Sequence, residues 1–277
     1  MTSSSLRRQA LTVLLEPDPT IKARAARVLA GSAKDLPLGV DEPIEAPPGL
    51  PGRPLRPALV DPRRVPVRSP STAAGRAAML HAIAHIEFNA INLALDAAWR
   101  FAGLPAAYYL DWVQVAGEEA LHFGLLRDHL RGLGHDYGDF EAHDGLWAMA
   151  ERTAGDVTAR MALVPRVLEA RGLDATPPLQ AKFEKAGDAR AAAILGIILR
   201  DEIGHVAIGN RWFAWLCRRD GRETGAAFDE CAARHRAPRL RGPFNLEARR
   251  AAGFTAEELL RLEDATSPQA SGDADRR

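Results

Sequence analysis

The 277-residue chain is predicted to be all-α. Three observations lead there. Apolar residues recur at helical spacing through several long stretches, and no stretch shows a strand pattern of any length. The third is a pair of echoing motifs inside apolar runs, Glu118-Glu119-Ala120-Leu121-His122 and Asp201-Glu202-Ile203-Gly204-His205. These hold the only two Glu-x-x-His occurrences in the sequence. Residues i and i+3 of a helix share a face, one turn apart, so a carboxylate and an imidazole so placed can both reach one metal ion.

Taken in order, residues 1–32 read as an N-terminal helical extension. Leu6, Ala10, Leu11, Val13 and Leu14 fall at helical spacing, Pro17 and Pro19 interrupt, and Ile21 to Ala30 resumes the pattern. Residues 33–70 hold ten of the nineteen prolines, which excludes regular helix or sheet. The same stretch carries Leu36, Leu38, Val40, Ile44, Leu50, Leu55, Leu59 and Val60, more apolar residues than a solvated linker uses. It is expected to be an extended arm packed on the helical body.

Residues 71–220 are expected to form a bundle of four long helices. The first opens at Ser71-Thr72 and ends near Phe101, and its core from His81 is apolar on nearly every side, with Glu87 in the middle. Such a helix must be covered all round, and a buried carboxylate must be neutral, paired or metal-bound. Pro105 sets the start of the second, from Ala106 to about Leu130, which carries Glu119 and His122. The third spans about Gly145 to Arg171, kinked at Pro165, with Glu169 one turn beyond and Gly172 as its stop. A further helical piece starts at Thr176-Pro177-Pro178. The fourth long helix, about Ala189 to Arg219, carries Glu202 and His205. Residues 221–264 read as a C-terminal helical extension, including a capping box at Thr255 to Glu258, and 265–277 as a disordered tail.

Composition narrows the function. The chain is 47% hydrophobic and 26% charged, as for a soluble globular protein. Thirty-six basic and thirty-six acidic residues cancel, so no overall field favours nucleic acid or an anionic membrane. Cys217 and Cys231 form no Cys-x-x-Cys pair, which suggests a reducing compartment, with Cys217 a core thiol. The uncharged apolar run Ala191 to Leu199 falls far short of the ~20 residues that span a bilayer, and no apolar signal segment follows Met1 to Arg8. A cytoplasmic protein is expected.

The candidate site follows from spacing. Glu87 precedes Glu119 by thirty-two residues and Glu169 precedes Glu202 by thirty-three. Each half reads as a helix with a lone Glu, then a helix with Glu-x-x-His. Four carboxylates and two imidazoles suit iron or manganese, with zinc also compatible, and the four negative charges balance two divalent ions. Glu119 and Glu202 are expected to bridge. Glu87 with His122, and Glu169 with His205, are expected as the terminal ligands. His81 and His85 point away from Glu87 and read as buried hydrogen-bond partners, while His129 lies ~10 Å along the helix from His122, too far for the same ion. Asn92, Asp96 and Asp201 are candidates to orient the ligand imidazoles.

One Glu from each of two helices and Glu-x-x-His from each of two more is the ligand pattern of ferritin-like di-iron and di-manganese proteins. At these residues the chain resembles the ferritin-like superfamily and, more closely, family 455 of domains of unknown function. The likeness lies in His85-Ile86-Glu87-Phe88-Asn89-Ala90-Ile91, Glu118 to Phe123, Pro165 to Asp174, Arg200 to Val206 and Gly242-Pro243-Phe244-Asn245. It implies a four-helix bundle with a di-metal site and supplies no substrate. The leading expectation is an O2-activating oxidoreductase, a hydroxylase or oxidase, with two iron ions as cofactor. Its substrate, small-molecule or macromolecular, is unassigned, and an electron-donor protein and a small homo-oligomer are compatible partners. The alternatives are a non-enzymatic iron or manganese binding or storage protein, and an interaction scaffold.

Overall fold

A computed structural model describes residues 4–66 and 68–264; the tail expected at 265–277 lies outside the described residues. The fold is all-α, with no strand among the described residues and one isolated bridge, Leu59 to Ala142. The helices are α1 Leu6–Leu15, α2 Pro19–Ser32, α3 Ala73–Arg100, α4 Ala106–Gly132, α5 Gly145–Arg152, α6 Val157–Leu163, α7 Ala170–Lys185, α8 Ala189–Arg219, α9 Thr224–Arg234, α10 Leu246–Ala251 and α11 Ala256–Asp264. A π-helical segment, Val164–Glu169, joins α6 to α7. Two compact units are present: Met1–Ala154 with Gln180–Ile194, and Gly155–Leu179 with Leu195–Arg277. Helices α7 and α8 contribute residues to both.

In the first unit α3 packs against α1, α2, α4 and α5, which explains why it is apolar all round. It starts where the Thr72 hydroxyl accepts from the Gly75 N–H at 3.0 Å. By length and composition it could cross a bilayer, but 78% of its most apolar window is buried in the protein.

Two buried cations tie the proline-rich stretch down. Arg7, 2% exposed, donates from Nη1 to the carbonyls of Gly39, Val40 and Glu42, and from Nε and Nη2 to Trp99 O near the end of α3. Lys22, fully buried, donates from Nζ to Gly52 O at 2.7 Å and to Asn92 Oδ1 at 2.6 Å. Backbone bonds from Gly103 N to Val40 O and from Val60 N to Ala142 O add to these.

Lys22 makes stability depend on pH. Burial, and next the charge of Arg53, pull its ammonium down to about 7. Between that value and its unfolded value near 10.5 the folded chain binds fewer protons than the unfolded one, so this group makes stability rise with pH across that window. Lys22→Met removes the slope. From pH 7.5 to 9.5 the parent is expected to gain about 2 kcal/mol of unfolding free energy relative to Lys22→Met, measured by urea titration. A difference that does not change with pH would refute the lowered pKa of Lys22.

The chain departs from the sequence expectation between residues 145 and 185. The single kinked helix is interrupted at Thr153 to Asp156, and Asp156 caps a new start by accepting from Ala159 N. Pro165 is absorbed in the π-helical turn, where Ala170 N–H reaches back five residues to Pro165 O. Gly172 does not stop the helix, and Pro177-Pro178 lie inside α7 rather than at a start. Pro177 cannot donate to Leu173 O, but Asn245 Nδ2 does so at 3.2 Å. Asn245 also caps α10 through Oδ1, so one residue repairs α7 and starts a helix of the C-terminal extension. Leu173 and Phe183, both fully buried, anchor α7 on either side of the prolines. In the second unit Ala170, Leu173, Val206, Ala248, Ala252, Phe254 and Leu259 form one core. Gly209 faces Pro165, and a Cβ there would lie 2.3 Å from the proline ring, so a bare backbone is required.

Candidate metal centre

Every one of the six sequence-predicted ligands is buried: Glu87, Glu119, His122, Glu169, Glu202 and His205. Helices α3 and α4 position the first three. They lie side by side, so Glu87 in mid-α3 meets the Glu-x-x-His face of α4. His122 Nδ1 is 3.2 Å from Glu87 Oε2 and 3.4 Å from Glu119 Oε2. The ligand atoms of these three residues all lie within 4.8 Å of one another. Two carboxylate oxygens and an imidazole nitrogen at that separation could hold one metal ion.

The electrostatics fit the same purpose. Burial first, and then the charge of Glu119, raise the Glu87 carboxyl to about 7. Burial works against the charged form of His122, but hydrogen bonds to Glu119 and Glu87 outweigh it and raise its pKa. Without metal, protons therefore do the neutralising in this cluster. Phe88 and Phe123, next in sequence to Glu87 and His122, pack with ring centroids 5.3 Å apart.

In the second unit Glu202 and His205 share a face of α8, with Oε2 and Nδ1 3.9 Å apart. Glu169 ends the π-helical turn and is buried. A Cβ on Gly172 would come within 3.9 Å of the Glu202 side chain, so α7 presents bare backbone toward it.

A family model for "Protein of unknown function (DUF455)" matches residues 15–260. The chain belongs to the DUF455 family. It is 55% identical over 213 residues to an uncharacterized protein of Haemophilus influenzae, covering 74% of each chain. No solved structure matches.

The other polar residues of this DUF455 chain serve the scaffold. His85 donates from Nε2 to His143 O and receives the Tyr137 hydroxyl at Nδ1. His81 Nε2 accepts from Gly138 N at 2.9 Å. Burial holds both imidazoles down to about 4, so they are neutral. His129 pairs with Asp188 at 2.8 Å. Of the residues expected to orient ligand imidazoles, Asn92 receives Lys22, and Asp96 receives Arg100 and the Trp99 indole N–H. Asp201 pairs with Arg200 at 2.8 Å. The sequence reading missed Arg7, Lys22 and Arg166. Arg7 and Lys22 fall on the buried faces of α1 and α2, where a cation at an apolar position is the available signal.

Proposed function

We propose that the chain has a ferritin-like four-helix arrangement and holds two iron ions to activate O2 for an oxidation. In this reading Glu87 with His122, and Glu169 with His205, would be the terminal ligands, and Glu119 and Glu202 the carboxylates shared between the ions. The observation that carries it is the buried Glu87, Glu119 and His122 cluster, whose ligand atoms lie within 4.8 Å of one another. The repeated order of lone Glu and Glu-x-x-His supports the extension to six ligands.

Bound ferrous iron would supply the electrons for O2 reduction. The chain supplies the rest. The carboxylates and imidazoles would fix ligand geometry, and His122 would give up its proton when an ion takes its place. The test is anaerobic loading with ferrous iron followed by admission of air. An absorption band of an oxygen-bridged diferric centre is expected. Protein that binds iron and shows no spectral change with O2 would overturn the redox reading and leave metal binding alone.

A further inference from the structure

An unpaired basic surface lies on the stretch that leaves α9. From Cys231 to Leu246 the chain holds four arginines, Arg234, Arg236, Arg239 and Arg241, all exposed, and no acid. Arg234 is taken up by Glu230 and Asp156. Among the described residues no ion pair or side-chain hydrogen bond holds the other three. Acids of the neighbouring helices have their own arginines: Asp229 faces Arg261 at 3.9 Å, and Asp174 holds the buried Arg249 at 2.6 Å. The whole chain carries no net charge, so the positive field here is local.

One of the three sits where its side chain works against the fold. Helices α4, α7, α8 and α10 close in the same way. A residue past the helix end takes a left-handed conformation, and the next N–H reaches back five residues to a carbonyl of the last turn. Glycine fills that place in all four, at Gly134, Gly187, Gly221 and Gly253. Helix α9 closes on the same bond, from Ala237 N to Ala232 O at 2.9 Å, but its left-handed residue is Arg236, with φ 51°. Among the described residues it is the one non-glycine residue with positive φ. A Cβ disfavours that conformation, and glycine adopts it freely. An outlier of this kind is a reason to look for a use of the side chain. Arg236 is exposed and unpaired, so what it adds is a positive charge facing solvent.

The composition of this surface selects the partner. Its cations are all arginines, whose planar fork matches phosphate oxygens two at a time. The chain from Ala237 to Arg241 is neither helix nor turn, so the arginines follow one another along an extended segment. Steps of three and two residues span up to about 10 and 7 Å. They form a row, which suits a string of phosphates better than a single one. A protein partner or a bilayer would also need apolar side chains to bury, and none of the large apolar residues exposed on this chain falls within residues 222–250. Nucleic-acid binding without sequence preference needs none, because phosphate charge supplies it. We propose that Arg236, Arg239 and Arg241 bind the phosphodiester backbone of a nucleic acid strand.

Fluorescence anisotropy of the full-length protein tests this with a labelled single-stranded RNA of ~20 nucleotides and a DNA of the same mixed sequence, between ~50 and ~300 mM salt. Binding to the RNA, the DNA or both is expected, with log affinity falling on log salt at a slope near about −2, from ~0.7 per neutralised phosphate and three arginines. Arg236→Gly should flatten the slope by ~0.7 and weaken binding by ~3–10-fold at ~50 mM salt. The same variant should unfold at a higher temperature than the parent, because glycine suits the left-handed position. Affinity lost from a more stable protein cannot be put down to misfolding. Arg239→Ser with Arg241→Ser, both on exposed chain, should remove most of the remaining salt dependence. The proposal is overturned if neither strand shows salt-dependent binding, or if Arg236→Gly binds as tightly as the parent or is less stable than it. It is also overturned if polyglutamate, or vesicles of mixed phosphatidylserine and phosphatidylcholine, bind as tightly as the strands. None of these readouts needs iron or O2, so the test is separate from that of the metal centre.

Discussion

Glu119→Gln is expected to abolish the stabilisation that added divalent metal gives the folded protein, while the metal-free protein still folds. Glu119 is fully buried beside Glu87 and His122, and its charge adds to burial in raising the Glu87 carboxyl. The folded pKa of Glu87, about 7, lies above its ordinary 4.5. The stability that group contributes is therefore complete below about 4.5 and lost as pH rises through about 7. Removing the Glu119 charge shrinks that loss. In the parent, metal at ~100 times its dissociation constant contributes about 2.7 kcal/mol, or about 5–10 °C in Tm. Loss of an outer partner of a ligand costs roughly 10–100-fold in metal affinity, and loss of a ligand should cost more. Because an ion must displace protons here, the parent's thermal response should also be larger at pH 8 than at pH 6. Thermal unfolding of both proteins with and without ferrous or manganous ion checks this. A variant that keeps the parent's full metal response would remove Glu119 from the site.

Arg7→Met should be the most damaging single change in the scaffold, lowering unfolding free energy by ~3–5 kcal/mol. The Arg7 guanidinium supplies donors to four carbonyls, and one of them, Trp99 O, belongs to the last turn of α3, where helix carbonyls lack internal partners. The other three lie at residues 39–42. The variant leaves all four buried or half-buried without that donor and frees the start of the proline-rich stretch. Urea titration gives the energy, and limited proteolysis should show faster cutting between residues 36 and 66. Arg7→Lys keeps the charge but has no planar fork, so it should recover only part of the loss. A change below about 1 kcal/mol in Arg7→Met would contradict this role.

Much of this arrangement can be read from residues alone, and the exceptions have physical causes. Helices α3 and α4 are legible because each is a long, largely apolar run with a marked start, at Thr72 and at Pro105. The Glu-x-x-His pairs are legible because their spacing is local; the 3.2 Å approach of Glu87 to His122 joins two helices across thirty-five residues of sequence, which no local pattern reads. The course of α7 was hidden because local rules were overridden by distant partners. Gly172 and Pro177-Pro178 predict breaks, yet Asn245 replaces the donor that Pro177 lacks, and buried Leu173 and Phe183 hold the helix in place. The place of Arg166 was hidden for the same reason: the π turn sets it between Asn210 of α8 and Glu258 of α11, with the Phe228 ring of α9 against its guanidinium, and no sequence window brings these together.

The most direct test of the central claim is the metal content of the full-length protein purified from its native host, set beside Glu202→Ala prepared in the same way. Elemental analysis should find two equivalents of a transition metal per chain in the parent, predominantly iron, and a clear deficit in the variant. A folded parent without stoichiometric metal, or a Glu202→Ala protein that retains the full complement, would contradict it.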